Sequence, residues 1–521
     1  MSQSGFLLIA PLLVPILTAI AGLFGLAILE RDLPASRRLQ RLIATVGASV
    51  LLVAVLALFL QVRVNGIQVV QVGSWPMPFG ITLVADLFSA IMLVVSGLIG
   101  FAVHLYALAS INKEREAIGY YPLYFVLLLG VNGAFLTGDM FNLYVWFEVM
   151  LMSSFVLMAL GTDKGQTIGS IKYVTLNLIS SAIFLSALGL LYGLIGTLNM
   201  ADMAVKFGEV RADPEATGLI NAVAAMFLIA FGIKAAVFPL FFWLPDSYYA
   251  PPPAVSAVFA GLLTKVGVYA LIRVFTLIFP LGSGPFQTIL LWVAGLTMLT
   301  GVLGAVAQNE VRRILSFHII SQIGYMIMGL ALFTPLAISG AVFYIFHHVV
   351  VKTNLFLVAG AMERAGKSGD LYKIGSLYKR MPLLAVLFLI PALSLAGLPP
   401  LSGFFAKLSL LQGGFAVDQF WLVGVALFVS FLTLYSMTKI WNLGFWKPDP
   451  AEEAAAEGQP VAVPVTVRTR WVAWYLPMIL LALVTLAIGF GAGQFFPIAV
   501  DAGQQLIDPS GYIEAVFRSA E

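Results

Sequence analysis

The sequence predicts an all-α polytopic membrane protein of about fourteen transmembrane helices, with two inverted five-helix repeats and broken helices seven and twelve. Three observations predict it. The 521-residue chain is 60% hydrophobic and only 10% charged, whereas soluble domains carry roughly 25% charged residues. Nearly all its length falls into apolar runs of about 20 residues, each enough to cross a hydrocarbon core as helix. The runs are continuous, as in LLVPILTAIAGLFGLAIL, which excludes the in-out alternation of a membrane barrel.

The spans are expected at 6–29, 42–62, 82–108, 121–138, 142–161, 174–197, 218–238, 254–278, 287–306, 314–333, 337–361, 383–416, 420–441 and 471–497. The first is read as a retained helix, since the leader MSQSG has no Lys or Arg and so lacks a signal peptide's basic n-region. The twelfth is too long for one helix and contains Pro399-Pro400, so it reads as broken. Grouped by span, residues 1–120 hold helices 1–3, 121–280 a first repeat (helices 4–8) and 281–441 a second (helices 9–13). Residues 442–470 form a polar linker, and 471–521 hold helix 14 and a C-terminal tail. Five is odd, so the repeats must be inverted. Residues 198–217 read as a soluble loop.

Loop cations set the orientation. Of the 28 Lys and Arg, nineteen fall in loops on one side, including ERDLPASRRLQR, four on the other, and five inside spans. The basic side is therefore cytoplasmic, with both termini outside. The net charge of +3 reflects that asymmetry and implies no nucleic-acid partner. Cysteine is absent, which excludes disulfides, iron–sulfur ligation and thiol catalysis. With no nucleophile–base pair in view either, the chain does not read as an enzyme.

The chemistry lies in the ionisable residues within spans. Each costs roughly 2.5–3.5 kcal/mol or more at bilayer depth, and such residues mark ion or proton pathways. Glu148 sits mid-span in FNLYVWFEVMLMSSFVLMAL. Lys234, in LIAFGIKAAVFPLFFWLPD, is its nearest cationic candidate. The two form either a titrating pair or a static packing pair. Pro239 leaves the carbonyl of residue 235 without its helical donor, and carbonyls at a half-helix C-terminus favour a cation, as in broken transporter helices. Lys265 falls near mid-depth in the eighth span, with Ser256 and Thr264 as polar neighbours. Arg273, two turns further out, reads as snorkelling to the outer interface.

His348 and Lys352 are i and i+4 in GAVFYIFHHVVVKTNLFLVAG and share a face. A neutral imidazole beside an ammonium can relay a proton; the competing reading is a core histidine bonded to a backbone carbonyl. His347 points about 100° away and reads as packing, as does His104, and His318 lies near the cytoplasmic end of span ten. In IPALSLAGLPPLSGFFAKLSLLQGG the two prolines release the carbonyls of Leu395 and Ala396, and Lys407 follows. Asp86 lies near the outer end of span three, and Asp139 reads as the N-cap of span five. No metal or other cofactor is expected.

The segments GDMFNLYVWFEVMLMSS, AFGIKAAVFPLFFWLPDSYYAPPPAVSAVFAGLLTKVGVYAL, NEVRRILSFHIISQIGYM, HHVVVKTNLFLVAG and AGLPPLSGFFAKL resemble the antiporter-like family shared by Mrp-type multisubunit Na+/H+ antiporters and the proton-pumping subunits of complex I. GSWPMPFGITLVADLFSAIMLVVSG and FLTGDMFNLYVWFEV resemble its Mrp D-subunit branch most. The resemblance implies a proton path through Glu148, its span-seven partner Lys234, the connecting Lys265, the span-eleven pair His348 and Lys352, and the terminal Lys407. It implies partners too: other subunits of a hetero-oligomeric Mrp complex, protons, Na+ with Li+ or K+ as alternatives, and membrane lipid of a bacterial cell membrane. The alternative it leaves open is a proton-pumping subunit of a complex I-like oxidoreductase or a membrane-bound hydrogenase. Some complex I relatives carry Glu where Lys407 stands. Many relatives carry His after the aspartate of WLPDSYYAPP, which is Ser247 here. The chain continues only about 24 residues past span fourteen, without a long lateral helix.

Overall fold

The computed structural model describes residues 3–28, 34–75, 77–161, 164–210, 217–282, 284–449 and 471–519. The chain opens with α1 (Gln3–Ile28) and α2 (Pro34–Asn65), then a two-stranded antiparallel ribbon, β1 (Gln68–Gln71) with β2 (Thr82–Ala85). The ribbon is an addition to the all-helical expectation. Next come α3 (Leu87–Ser110), α4 (Lys113–Ala117), α5 (Tyr120–Leu136), α6 (Met140–Ala159), α7 (Lys164–Ile195), α8 (Met200–Val210), α9 (Thr217–Ala235) and α10 (Trp243–Tyr248). The eighth span is α11 (Pro253–Val258), a π-turn (Phe259–Leu263) and α12 (Thr264–Leu277). Then follow α13 (Pro285–Ala307), α14 (Val311–Leu332), α15 (Pro335–Gly366), α16 (Leu377–Arg380), α17 (Pro382–Ala396), α18 (Ser402–Ala416), α19 (Phe420–Ile440), α20 (Trp471–Phe490), α21 (Ala492–Ile507) and α22 (Ser510–Arg518).

Among the described residues, twelve helices are long and apolar enough to cross a membrane, and α5 and α17 are shorter apolar helices. The broken helices expected at seven and twelve are both present. α9 ends one residue after Lys234, where Ala236 turns to φ +59°. α17 stops at Ala396, and α18 restarts at Ser402 beyond Pro399-Pro400.

Several expected boundaries need correction. Helix α2 runs beyond 42–62 at both ends, and α7 begins ten residues before 174 and ends at Ile195, because backbone hydrogen bonding continues past the apolar stretch that hydropathy marks. The loop 198–217 holds the helix α8. The last span ends at Phe490 rather than 497, and α21 and α22 replace the tail. Of the linker at 442–470, residues 450–470 lie outside the described residues.

Burial sorts the helices. The eighth span is enclosed on all sides, and α14 and α15 nearly so; α2, α7 and α19 expose apolar faces outward. The enclosed helices carry Lys265, Arg273, His318, His347, His348 and Lys352, all buried. That is the arrangement a bilayer demands of charges: inside the bundle, away from lipid.

Candidate functional site

α6 and α9 bring Glu148 and Lys234 to one region, but no ion pair joins them among the described residues. Lys234 is 4% exposed. Its Nζ donates to Ser181 Oγ on α7 at 3.1 Å and lies 4.8 Å from the Phe147 ring centroid. Glu148 is half-buried, and one carboxylate oxygen is buried without a hydrogen-bond partner. The expected direct pair is thus corrected: the ammonium turns to the serine and the aromatic face, while Glu148 stays within Coulomb range. Nor does Lys234 take the carbonyl of residue 235.

Lys265 is the second residue after the π-turn, and its Nζ donates to the Ala260 carbonyl inside that turn. A π-turn loosens the helical ladder and frequently marks functional positions. The expected polar neighbours take no part: Ser256 Oγ donates to the Pro251 carbonyl at 3.2 Å, and Thr264 Oγ1 is buried without a partner. Gly267 brings α12 against the end of α9. A Cβ there would lie 2.6 Å from the Ala235 amide nitrogen, so the backbones bearing Lys234 and Lys265 touch.

On α15, Lys352 Nζ donates to the Leu315 carbonyl of α14 at 3.0 Å. His348 stacks on Tyr344, and both its ring nitrogens are buried without partners among the described residues. It is not bonded to a backbone carbonyl. His348 lies within Coulomb range of Lys265, Lys352, His347 and His318. His347 pairs Nδ1 with Ser402 Oγ at 2.7 Å, at the start of α18. His104 pairs Nε2 with Thr45 Oγ1 at 2.9 Å, away from this group.

Lys407 is held at the break of the twelfth span. Its Nζ donates to the Leu395 and Ala396 carbonyls, each at 3.0 Å, and to Ser430 Oγ at 2.8 Å, and it lies 4.9 Å from the Tyr325 ring centroid. The two carbonyls are those that Pro399 and Pro400, lacking N–H groups, leave without helical donors.

Of the polar residues between Lys352 and Lys407, sequence reasoning places His318 in span ten without giving it a role and passes over Gln322, Tyr325 and Tyr344. His318 pairs Nε2 with Ser436 Oγ at 2.9 Å and lies within Coulomb range of both lysines. Tyr344 donates to Gln322 Oε1, and the Tyr344 and Tyr325 rings stack at 5.3 Å. A signal existed: His318, Gln322 and Tyr325 recur at i, i+4 and i+7, a polar stripe along an otherwise apolar helix.

Two residues at the opposite end from the basic loops have structural settings. Arg273 does not snorkel. It is 5% exposed, and Nη1 meets Asp86 Oδ2 at 2.7 Å. A fixed carboxylate in reach outweighs extension to the interface. Asp139 caps α6 as expected, accepting from the Asn142 amide at 2.6 Å; burial raises its carboxyl to about 6, against the pull of the backbone amides. Among the described residues no three His, Asp or Glu side chains gather as a metal site would require.

Fold and buried charges together define a polytopic membrane protein of the antiporter-like class. Residues 137–433 match the NADH:quinone oxidoreductase/Mrp antiporter transmembrane family, and the chain belongs to that family. It is 45% identical to the D subunit of the Na(+)/H(+) antiporter of Alkalihalophilus pseudofirmus, over 98% of this chain and 99% of that one. Its structure is similar to a chain of the Mrp complex from Dietzia sp., with TM-score 0.87, 34% identity, and 99% and 100% of the two chains covered. It is also similar to a chain of the membrane-bound sulfane sulfur reductase, an archaeal respiratory membrane complex, with TM-score 0.86, 25% identity, and 98% and 99% covered.

Proposed function

We propose that this chain is the proton-translocating component of a multisubunit Na+/H+ antiporter in a bacterial cell membrane. Protons move along Glu148, Lys234, Lys265, His348 with Lys352, and Lys407, through waters between them. The observation that carries this reading is the run of mutually interacting groups through the enclosed helices: Lys265 with Lys352 and His348, then His318, then Lys407. Full-length likeness to an antiporter D subunit supports it independently. Two unit charges about 8 Å apart at an effective dielectric near 20 interact by about 2 kcal/mol, so a proton arriving at one station biases the next. His348, buried with two unpartnered nitrogens, is suited to water on both sides. Fourteen spans, two inverted repeats at 121–280 and 281–441, cytoplasmic basic loops and outer termini complete the reading, with half-channels opening on opposite faces. Other subunits of the complex and surrounding lipid are its partners.

The test is transport. Glu148→Ala, Lys234→Ala and Lys407→Ala complexes, checked for assembly, should each lose cation-driven ΔpH in inverted vesicles. Full antiport by assembled variants rejects the path. A second reading, a proton-pumping component of a redox complex, is favoured by the likeness to the archaeal respiratory chain. Neighbouring genes decide between them: small antiporter subunits on one reading, iron–sulfur and quinone-site subunits on the other.

A further inference from the structure

We infer that the oxygen cage holding the Lys407 ammonium is a monovalent-cation seat, occupied in turn by that ammonium and by a partly dehydrated Na+. The inference rests on the antiporter reading and deepens it by locating the exchange of proton for cation. The cage has the chemistry of a hard-cation site. Two carbonyls, Leu395 and Ala396, end the half-helix α17 and contact Nζ at 3.0 Å each, and the Ser430 hydroxyl contacts it at 2.8 Å. Ser430 also donates its own hydrogen to the Ala396 carbonyl at 2.8 Å. That commitment turns the oxygen's lone pairs toward the ammonium. The negative end of a helix dipole lies at these carbonyls, and oxygen donors suit alkali and other hard cations. The Tyr325 ring face adds attraction for any cation placed there.

Among the described residues no carboxylate pairs with Lys407, so its charge is balanced by dipoles alone. Such a seat accepts one positive charge and repels a second. Lys407 is 5% exposed and Ser430 half-buried, so the cage borders accessible space on the α19 side. The exchange is balanced. The ammonium gives a proton to water on the path side and becomes a neutral amine; Na+ then takes the three oxygens. Reprotonation of the amine ejects Na+. The seat carries one unit of charge before and after each exchange, passing through a neutral amine, and proton and cation movement are coupled by exclusion. Titratable groups facing it are His318 and Tyr325 from α14 and His347 from α15; α19 contributes Ser430.

The experiment is equilibrium binding of radioactive Na+ to the purified, assembled complex without a gradient, from pH 6 to 9. The wild type should bind Na+ more tightly as pH rises, with protons competing. Ser430→Ala should raise the half-saturating Na+ about tenfold, the effect of losing one ligand worth about 1.4 kcal/mol. Ser430→Thr, which keeps the hydroxyl, should restore it. Lys407→Met should retain Na+ binding that no longer varies with pH. Wild-type affinity and pH dependence in both Ser430→Ala and Lys407→Met overturns the seat, as does absence of Na+ binding in the wild type. Lys234→Ala separates the two readings: full antiport there rejects the proton path, whereas the seat stands or falls on binding alone.

Discussion

Arg273 Nη1 lies 2.7 Å from Asp86 Oδ2, with both side chains almost fully buried, joining the eighth span to the start of α3. Asp86 also accepts from the Ser89 amide at 2.9 Å, and Arg273 donates to Tyr269 Oη at 3.2 Å and faces the Tyr512 ring of α22. Three helices, α3, α12 and α22, therefore meet on one charge pair. Removing one partner strands the other, which costs about 3–5 kcal/mol, whereas removing both is tolerated far better. Arg273→Met and Asp86→Asn should each sharply lower the thermal unfolding midpoint of the purified complex. The double variant Asp86→Asn with Arg273→Met should recover much of the loss. Additive losses would show that the pair is not coupled.

Asp139 supplies a pH signature. Burial raises its carboxyl from an ordinary value near 3.8 to about 6. The folded state therefore holds this proton more tightly than the unfolded state does. The stability so gained is fully present below pH 3.8, fades as pH rises to about 6, and is gone above it. Asparagine caps helices as well as aspartate and does not titrate. Between pH 4 and 7.5 the wild type should lose stability relative to Asp139→Asn by about 1–3 kcal/mol, read from unfolding midpoints across that range. Parallel curves for the two proteins would rule the titration out.

The fold was legible because bilayer thickness imposes one length on every apolar run, and proline punctuates helices wherever it falls. Pro399-Pro400 therefore announced both the break in the twelfth span and the carbonyls that now hold Lys407. What stayed hidden depends on partners remote in sequence. Arg273 looked like an interfacial residue because nothing in its own span identifies Asp86. Lys234 had two plausible neighbours, a carboxylate and a freed carbonyl, and took a third, Ser181. The π-turn before Lys265 contains Gly261, which packs so closely on α15 that a Cβ there would collide with Thr353 Oγ1, and it was not foreseen from the sequence. Ser430 and Ser436 were not singled out in the sequence; their partners, Lys407 and His318, come from α18 and α14.

The adjacent histidines should separate cleanly. His348 has no hydrogen-bond partner and faces the lysines, whereas His347 is tied to Ser402, which in turn contacts Ser394 Oγ at 2.9 Å. His348→Leu should lower cation-driven ΔpH at least tenfold in assembled complexes while leaving the unfolding midpoint nearly unchanged. His347→Leu should instead destabilise by about 1–3 kcal/mol, since it takes one of two hydrogen-bond partners from the buried Ser402 hydroxyl. Equal transport loss in both, with equal stability, would place the two rings in one role.

Gly397 offers the sharpest steric test of the Lys407 site. It sits at φ +92°, and a Cβ there would lie 2.8 Å from Lys407 Cδ. Alanine must therefore adopt a left-handed backbone and displace the lysine stem at once. The backbone alone costs roughly 1–2 kcal/mol, and shifting the stem pulls Nζ from its three oxygens. Gly424, in the membrane helix α19, has nothing within 4 Å of the corresponding position, and alanine is the better helix former there by about 1 kcal/mol. Gly397→Ala should thus depress antiport strongly in assembled complexes, while Gly424→Ala leaves it intact and keeps or raises the unfolding midpoint. The two changes add the same methyl group to the same half of the chain, so any difference in vesicle ΔpH reports the geometry at Lys407 rather than loss of glycine as such. Wild-type antiport in Gly397→Ala would mean that the ammonium does not need the position in which α17 holds it.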